Sequence, residues 1–505
     1  MNNKQSAYQQ LQSHFNKIGE LENIAEIAYW DEATMMPEGS GEARGKSLAT
    51  LSGVIHELKT DTKIEEWLLG SEGDNSLDLW EQANVFEIRR IFDECSAIPV
   101  DLTEKLEERS FQSEQAWRKY RSDNDWDSMH PLLSGLVELV REKAQILGDI
   151  KKKGPYDALL DQYEPGVTSE SIEREFDKLK RFLPGFLEEV LQIQERNKPV
   201  PLAGPFEIAK QRELGIEVMT SMGFDFDKGR LDVSHHPFCG GTPDDTRITT
   251  RYNEDSFDES LMGVIHETGH ALYEQGLPAP WRNQPVGLAR SMAIHESQSL
   301  LMEMQACRSE EFLTFLTPLI QEKFGADSGE TNRQLSAQNI QLLYRKVEKG
   351  LIRVDADEVT YPLHVILRFE IERDLIDGKI EVQDIPGIWD QKMSEYLGVN
   401  TEGNYQDGCL QDVHWPSGLF GYFPSYTIGA MTAAQLFRTA THSDLSIKSS
   451  LAVGDFTPLV GWLKKNIHSR GSSVSFDQLL IDATGEPLNS DHFINHLKAR
   501  YQNDN

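Results

Sequence analysis

Apolar side chains recur every three or four positions along most of the chain, and this spacing places them on one face of an α-helix. The first such segment runs from residue 1 to about residue 30 and ends at a loop expected over 30–39. Further segments with the same period are separated by short stretches rich in Gly, Pro, Asn or Ser. They lie at 42–58, 61–69, 77–95, 101–123, 131–152, 169–197, 206–222, 288–308, 309–323, 331–349, 357–376, 385–397 and 426–502, the last with one loop near 466–475. The pattern predicts a mainly α protein.

The pattern changes between residues 225 and 252, where short stretches are rich in β-branched side chains. Residues 231–234 and 246–252 are predicted strands of a small sheet, with a turn over 239–243. No linker is long enough to divide the chain. We therefore expect residues 1–505 to form a single domain, a large helical two-lobed body around a deep substrate cleft. The small β-sheet should lie beside the helix that follows it.

That helix is predicted over residues 261–275 and carries the pattern H-E-x-x-H, from His266 to His270. Two His side chains four positions apart lie on one face of a helix, so both rings can reach one metal ion. Glu267 lies between them, near the ion but not bound to it. This arrangement is typical of a zinc hydrolase that keeps one position open for water. Gly269 is expected to remove bulk beside the metal.

A third ligand must come from elsewhere, because no third His follows closely in the chain. Glu296 is favoured, since it lies 26 positions after His270 on the predicted helix 288–308. His295 competes with it, but adjacent residues on a helix point about 100° apart, so one of the two faces the metal. Zn²⁺ suits two imidazoles and a carboxylate, and Co²⁺ or Mn²⁺ fits the same ligands. We expect one ion per chain.

The predicted mechanism uses Glu267 as the general base for the attack of a zinc-bound water on a peptide carbonyl. The resulting oxyanion needs a further donor, typically Tyr or His. His414, Tyr422 and Tyr426 lie in the irregular stretch 404–426, where such donors are often found. Each of the three remains equally compatible with a packed aromatic side chain or a satisfied core His.

The chain is acidic, with 50 Lys and Arg against 82 Asp and Glu and a formal net charge of −32. Such a surface argues against nucleic acid or an anionic membrane as a partner. The four Cys are far apart, which favours neither a thiolate metal site nor a disulfide framework. The sequence has no signal-peptide pattern and no apolar run of transmembrane length, so a cytoplasmic location is expected.

Six motifs, spaced along the second half of the chain, resemble those of one peptidase family. They are His236-Pro237-Phe238, Asp245-Thr246-Arg247-Ile248-Thr249, His266 to His270, His295-Glu296-Ser297-Gln298, Ile352-Arg353-Val354-Asp355-Ala356-Asp357 and Gly408-Cys409-Leu410-Gln411-Asp412-Val413-His414-Trp415. Residues 30–37 and 159–166 are also similar. The chain resembles the carboxypeptidase Taq family of metallocarboxypeptidases over essentially its whole length.

The resemblance implies a long helical cleft, a zinc or cobalt ion and a homodimer. It also implies a metal-dependent carboxypeptidase that removes single C-terminal residues with broad preference and little action on a C-terminal Pro. His266, His270 and Glu296 match the family's ligands and Glu267 its base.

A carboxypeptidase needs a cation for the free carboxylate of its substrate, and Arg binds a carboxylate with two parallel hydrogen bonds. Arg353 is the first candidate and Arg247 the second. Each Arg could instead have a structural role, in which it forms an ion pair with an acidic residue near it in the sequence. The acidic residues are Asp355 or Asp357 for Arg353, and Asp244 or Asp245 for Arg247. His236 precedes a Pro that stiffens its loop and is expected to line the same pocket.

Two other functions remain open. A zinc oligopeptidase would also cut peptides with an amidated C-terminus, which a carboxypeptidase should reject. A zinc-stabilised binding protein would close its metal with four protein ligands and would have no use for Glu267.

Overall fold

A computed structural model describes residues 5–325 and 333–502 of the chain. It confirms the mainly helical fold. The first lobe contains the helices Ala7–Thr34, Gly41–Lys59, Lys63–Ser71 and Leu79–Ala97. Their inward faces share a separate core of Tyr8, Leu11, Phe15, Ile18, Ile55, Ile64, Leu68, Val85 and Ile88. Ser6 and Asp78 begin the first and last of these helices with capping boxes, which satisfy otherwise unpaired backbone N–H groups.

The second lobe holds the larger core. Its helices are Val100–Ser122, Trp126–Lys151, Pro155–Leu160, Ser169–Gln194, Ile208–Met222, Asp258–Gly276, Met292–Leu300, Glu310–Phe324, Ala337–Tyr344, Tyr361–Ile376, Ile385–Leu397, Pro424–Ser443, Ser446–Leu451, Thr457–Asn466, Phe476–Thr484 and Asp491–Tyr501. Short 3₁₀ turns lie at Glu38–Ser40, Ala279–Trp281, Pro285–Gly287, Arg353–Asp355, Val382–Asp384 and His468–Arg470. Among the described residues, no helix is both long and apolar enough to cross a bilayer.

Most helices follow the predicted spacing, but several bounds differ. The helical segment predicted over 426–502 with one loop near 466–475 was wrong in its continuity, because this stretch is divided into Pro424–Ser443, Ser446–Leu451, Thr457–Asn466, Phe476–Thr484 and Asp491–Tyr501. The loop expected over 30–39 was wrong in its first half, because the first helix continues to Thr34 and buries Trp30. Within the helix predicted over 331–349, the described segment is Ala337–Tyr344, and residues 331–332 lie outside the described chain. Residues 1–4, where the first helix was expected to begin, lie outside it too.

The small sheet has three strands, β1 (Gly229–Val233), β2 (Cys239–Thr242) and β3 (Asp245–Thr250), in the order β1-β3-β2. β1 runs parallel to β3, and β2 runs antiparallel to it. The turn predicted over 239–243 was wrong, because most of that stretch is strand β2. Gly241 has a φ of +84°, and a Cβ there would lie 2.2 Å from the carbonyl oxygen of Asp245. This glycine therefore allows a close strand contact, and the chain reverses just after it.

The helix Asp258–Gly276, called here the HExxH helix, packs against the helix Met292–Leu300, called here the Glu296 helix. Gly269 is the point of closest approach, since a Cβ there would lie 2.5 Å from the Cα of Ser299. The room expected beside a metal is thus filled by the backbone of the neighbouring helix. The Glu296 helix continues as one π-helical segment, Leu301–Ala306, where a single α-helix over 288–308 was predicted.

A cleft of about 850 Å³ opens beside this helix pair. One wall is formed by the HExxH helix, the Glu296 helix and its π-helical continuation. The opposite wall includes Tyr344, Ile352 and Tyr361. The two-lobed body with a cleft and a sheet beside the HExxH helix is therefore as expected.

Candidate active site

The side chains of His266, His270 and Glu296 converge on one point at the floor of the cleft. The Nε2 atom of His270 lies 3.5 Å from the Oε2 atom of Glu296, and the Nε2 atom of His266 lies 4.0 Å from the same oxygen. All three donor atoms lie within 4.8 Å of one another. Two imidazole nitrogens and a carboxylate oxygen at these separations fit a single divalent cation bound at roughly 2 Å from each.

His266 is oriented by a carboxylate. Its Nδ1 atom lies 2.9 Å from the Oε2 atom of Glu303, and the other oxygen of Glu303 accepts from Arg308 at 2.5 Å. Burial alone would raise the pKa of Glu303, but Arg308 and His266 offset this and hold its pKa below the usual value. Because a hydrogen bond engages Nδ1, the Nε2 atom of His266 is left to face the cation.

Glu303 was not among the predicted site residues. It lies in the π-helical segment, and such segments are frequent at functional sites. A signal was present, since Glu303 follows Glu296 by seven positions, two helical turns further along the same face.

His270 is oriented differently, by His295 and Glu274. His295, the competing candidate ligand, contacts the Nδ1 atom of His270 through its own Nδ1 atom at 2.6 Å. Its Nε2 atom lies 2.8 Å from the Oε1 atom of Glu274. Glu296 and His295 therefore meet opposite edges of the same imidazole ring. The described geometry places Glu296 with the metal-facing atoms and His295 behind them.

Glu267 lies on the HExxH helix beside these ligands and is 7% exposed. Burial raises the pKa of its carboxyl group to about 7; the neighbouring His266 lowers this pKa and Glu296 raises it. A carboxyl group with a pKa of about 7 can exchange its proton near neutral pH.

A cluster of aromatic side chains lies between the metal-facing atoms and Arg353. The rings of Tyr422 and Tyr426 are 5.3 Å apart, and those of Tyr361 and Tyr426 are 6.1 Å apart. The Nε2 atom of His414 lies 3.2 Å from the hydroxyl of Tyr426. Burial, assisted by nearby Arg side chains, lowers the pKa of His414 to about 4, so its ring is neutral at pH 7.

Arg353 pairs with neither Asp355 nor Asp357, the structural partners considered for it. Its Nε atom donates to the Oδ1 atom of Asp412 at 2.9 Å, and its Nη1 atom donates to Tyr361 at 3.0 Å. The fully buried Arg368 binds the other oxygen of Asp412 at 2.7 Å. Two guanidinium groups thus share one carboxylate, which leaves an excess positive charge in this part of the site.

Arg247 has the alternative partner expected for it, Asp245, which accepts from two of its nitrogens at 2.9 and 2.7 Å. Its guanidinium also stacks 4.2 Å from the ring centre of Trp30 on the first helix. Arg247 therefore joins the sheet to the first lobe. His236 is exposed on the loop between β1 and β2, and its carbonyl accepts from Ser234 at 2.5 Å.

Comparisons with known proteins agree with this geometry. The sequence model of the family described as Carboxypeptidase Taq (M32) metallopeptidase matches residues 10–501. Thermostable carboxypeptidase 1 of Thermus thermophilus is 37% identical over 508 residues, which cover 98% of either chain. Carboxypeptidase 1 of Bacillus subtilis is 33% identical and covers 96% of either chain.

Solved structures give the same result. Metallocarboxypeptidase 1 of Trypanosoma cruzi superposes with a TM-score of 0.95 at 41% identity, covering 98% of this chain and 99% of that one. The M32 carboxypeptidase of Deinococcus radiodurans superposes with a TM-score of 0.92 at 31% identity, covering 98% of either chain.

Proposed function

The chain belongs to the carboxypeptidase Taq (M32) family and is therefore a metal-dependent carboxypeptidase; we propose that it releases single residues from free C-terminal ends with broad preference, C-terminal Pro excepted. The observation that carries this proposal is the position of Arg353. Its guanidinium shares Asp412 with Arg368 and lies beside the tyrosines that border the metal-facing side chains. An excess cation there suits a free carboxylate.

We assign the cation to His266, His270 and Glu296, one per chain. Zn²⁺ is the proposed ion, and Co²⁺ or Mn²⁺ suits the same donors. When bound, the ion supplies a Lewis acid that polarises the scissile carbonyl and lowers the pKa of a water molecule. The chain's own side chains then position the peptide and move protons.

Glu267 is the proposed general base. Its carboxylate accepts the proton of the attacking water and returns it to the leaving amine. It follows His266 directly on the helix and is not one of the three side chains whose donor atoms converge. This separation of roles is what a catalytic site requires and a closed structural site does not.

His414 and Tyr422 are the proposed donors to the oxyanion. Neutral His414 carries one ring N–H, and its Nε2 atom lies 3.2 Å from the hydroxyl of Tyr426. Tyr426 is accordingly proposed to orient His414 and to line the substrate pocket. Donors held in a half-buried cluster before the reaction need little reorganisation when the negative charge develops.

Arg353 is the proposed partner of the substrate carboxylate. Its hydrogen bond to Tyr361 and its pair with Asp412 fix the plane of the guanidinium. Arg247, the second candidate, is engaged by Asp245 and Trp30, which supports a structural role. His236, on the exposed loop between β1 and β2, remains a proposed lining residue of the substrate pocket.

The test is a digest of N-blocked peptides with free or amidated C-termini, followed by mass spectrometry with and without a chelator. We expect ladders of single-residue loss from free ends only, abolished by the chelator and by Glu267→Gln. Glu107→Gln, at an exposed acid on the helix Val100–Ser122 and outside the lining of the cleft, is the control and should keep activity. Equal attack on amidated peptides would indicate an oligopeptidase, and no cleavage by the metal-loaded protein would indicate a binding protein.

The homodimer and the cytoplasmic location stay predictions. Light scattering of the purified full-length chain tests the dimer, and fractionation of the source cells tests the location. Peptides with free C-termini are the proposed partners.

A further inference from the structure

Two neighbouring residues of the Glu296 helix hold His270 from opposite sides. Glu296 approaches the Nε2 atom at 3.5 Å, while His295 contacts the Nδ1 atom at 2.6 Å. Glu274, one turn after His270 on the HExxH helix, closes the group by contacting the far nitrogen of His295 at 2.8 Å. The three side chains form a hydrogen-bonded row, His270–His295–Glu274, that runs away from the metal-facing atoms.

The direction of the protons in this row follows from the chemistry of its end. The carboxylate of Glu274 only accepts, so the Nε2 atom of His295 must carry the proton between them. A neutral His295 then has a bare Nδ1 atom, which accepts the proton on the Nδ1 atom of His270. A neutral His270 with its proton on Nδ1 has a free electron pair on Nε2, as a metal ligand needs.

For a neutral His295, the opposite direction is inconsistent with the distances. If His295 donated from Nδ1, its bare Nε2 atom would face the carboxylate of Glu274 at 2.8 Å, with two acceptors opposed. His270 would then carry its proton on Nε2, between the ring and Glu296. A doubly protonated His295 would donate from both nitrogens and would leave the proton of His270 on Nε2, where it blocks a cation. One carboxylate, two hydrogen bonds away, thus selects the ring form that can bind a cation.

We propose that His295 and Glu274 are positioning residues that fix the metal-binding tautomer of His270. This inference rests on the proposed assignment of His270 as a ligand. The two proposed ligand rings are then held in different ways. The carboxylate of Glu303, which also accepts from Arg308, contacts His266 directly. His270 is held instead through His295 and Glu274, and loss of this contact should weaken metal binding by about 10- to 100-fold.

The test compares three variants of the full-length protein, His295→Asn, His295→Leu and Glu274→Gln. Asn and Leu have nearly the same shape, but the Asn side-chain oxygen occupies the place of the Nδ1 acceptor and Leu offers none. The readout is the dissociation constant for Zn²⁺, measured by competition with a chromophoric chelator. Thermal unfolding of the metal-free proteins shows whether each variant is folded.

We expect His295→Leu to weaken Zn²⁺ binding by about 10- to 100-fold and His295→Asn to stay within a few-fold of the parent protein. Glu274→Gln should fall between them, because a Gln side chain can satisfy either direction of the row. Equal affinities for Asn and Leu, whether both are weak or both tight, would overturn the proposal. Failure of the unaltered protein to bind one Zn²⁺ would instead count against the proposed function.

Discussion

Gly429 lies directly over Glu296, so that a Cβ at position 429 would approach the Cβ and Cγ atoms of Glu296 to 2.8 Å. The helix Pro424–Ser443 therefore covers the side chain of the third proposed ligand with bare backbone. We expect Gly429→Ala to destabilise the protein by about 1–3 kcal/mol, since the Cβ and Cγ atoms of Glu296 are the fixed base of its side chain and cannot move aside easily. It should also weaken metal binding. Urea unfolding and chelator competition measure the two effects.

The matched control for this substitution is Gly461→Ala in the helix Thr457–Asn466. A Cβ there meets nothing within 4 Å. Ala is the better helix former, so the control should gain up to about 1 kcal/mol. If both variants behave alike, the closeness of Gly429 to Glu296 has no energetic consequence.

Metal binding should stabilise the folded chain, because an unfolded chain does not hold His266, His270 and Glu296 together. At a free Zn²⁺ concentration of about 100 times the dissociation constant, the expected gain is about 2.7 kcal/mol. Removing the ion with a chelator should lower the melting temperature accordingly. Glu296→Gln should lose most of this response.

Glu107→Gln, at an exposed site on the helix Val100–Ser122, is the control for that experiment. It should keep the full rise in melting temperature. A rise that persists in Glu296→Gln would mean that the ion binds elsewhere.

The sequence predicted those features that depend on local spacing. Helical period identified most helices, and the separation of His266 and His270 placed both on one face before any contact was known. Glu296 could be proposed because a third ligand was chemically required, and the structure brings its carboxylate close to both His rings. Most of these inferences used side chains within two helical turns of one another, where geometry is fixed by the backbone.

Features that depend on tertiary packing were missed or left open. The partner of Arg353 is Asp412, 59 positions away, and not the acids next to it in the motif. Glu274 acquires its role only when His295 from another helix meets it. Strand β2 contains two glycines, which favour a turn when read alone, and pairing with β3 overrides that preference.

The role of Arg353 predicts a specific effect of a conservative change. Arg353→Lys keeps the charge but loses the planar pair of donors that suits a carboxylate. We expect kcat/KM for a peptide with a free C-terminus to fall by about 100-fold, which corresponds to about 2.7 kcal/mol. The fall should lie mainly in KM if the contact is equally strong in the ground and transition states.

Arg247→Lys is the comparison, since Arg247 was the second candidate for the same role. Its contacts with Asp245 and Trp30 predict a loss of stability and a small change in KM. A larger rise in KM for Arg247→Lys than for Arg353→Lys would indicate that Arg247 binds the substrate carboxylate and that Arg353 has the structural role.

The last prediction concerns Glu164, whose buried carboxyl group accepts from the backbone N of Ala293 at 2.6 Å, in the first turn of the Glu296 helix. Burial raises the pKa of Glu164 from its ordinary value of 4.5 to about 7, against the opposing effect of Ser425, Ser291 and this backbone N–H. A raised pKa in the folded state means that folding favours the protonated form. Its contribution to stability is therefore complete below about pH 4.5 and is lost as the pH rises through 7.

Glu164→Gln removes this titration and keeps the side chain's shape. We expect the parent protein to lose about 3 kcal/mol relative to the variant between pH 4.5 and 8, from 2.5 pKa units at about 1.36 kcal/mol each. Urea unfolding of both proteins at pH 4.5 and pH 8 measures it, with both kept metal-free because metal binding also depends on pH. Parallel pH profiles would show that Glu164 ionises in the folded state as it does in the unfolded chain. A carboxylate would then sit at the first turn of the helix that carries Glu296, where the helix dipole favours negative charge.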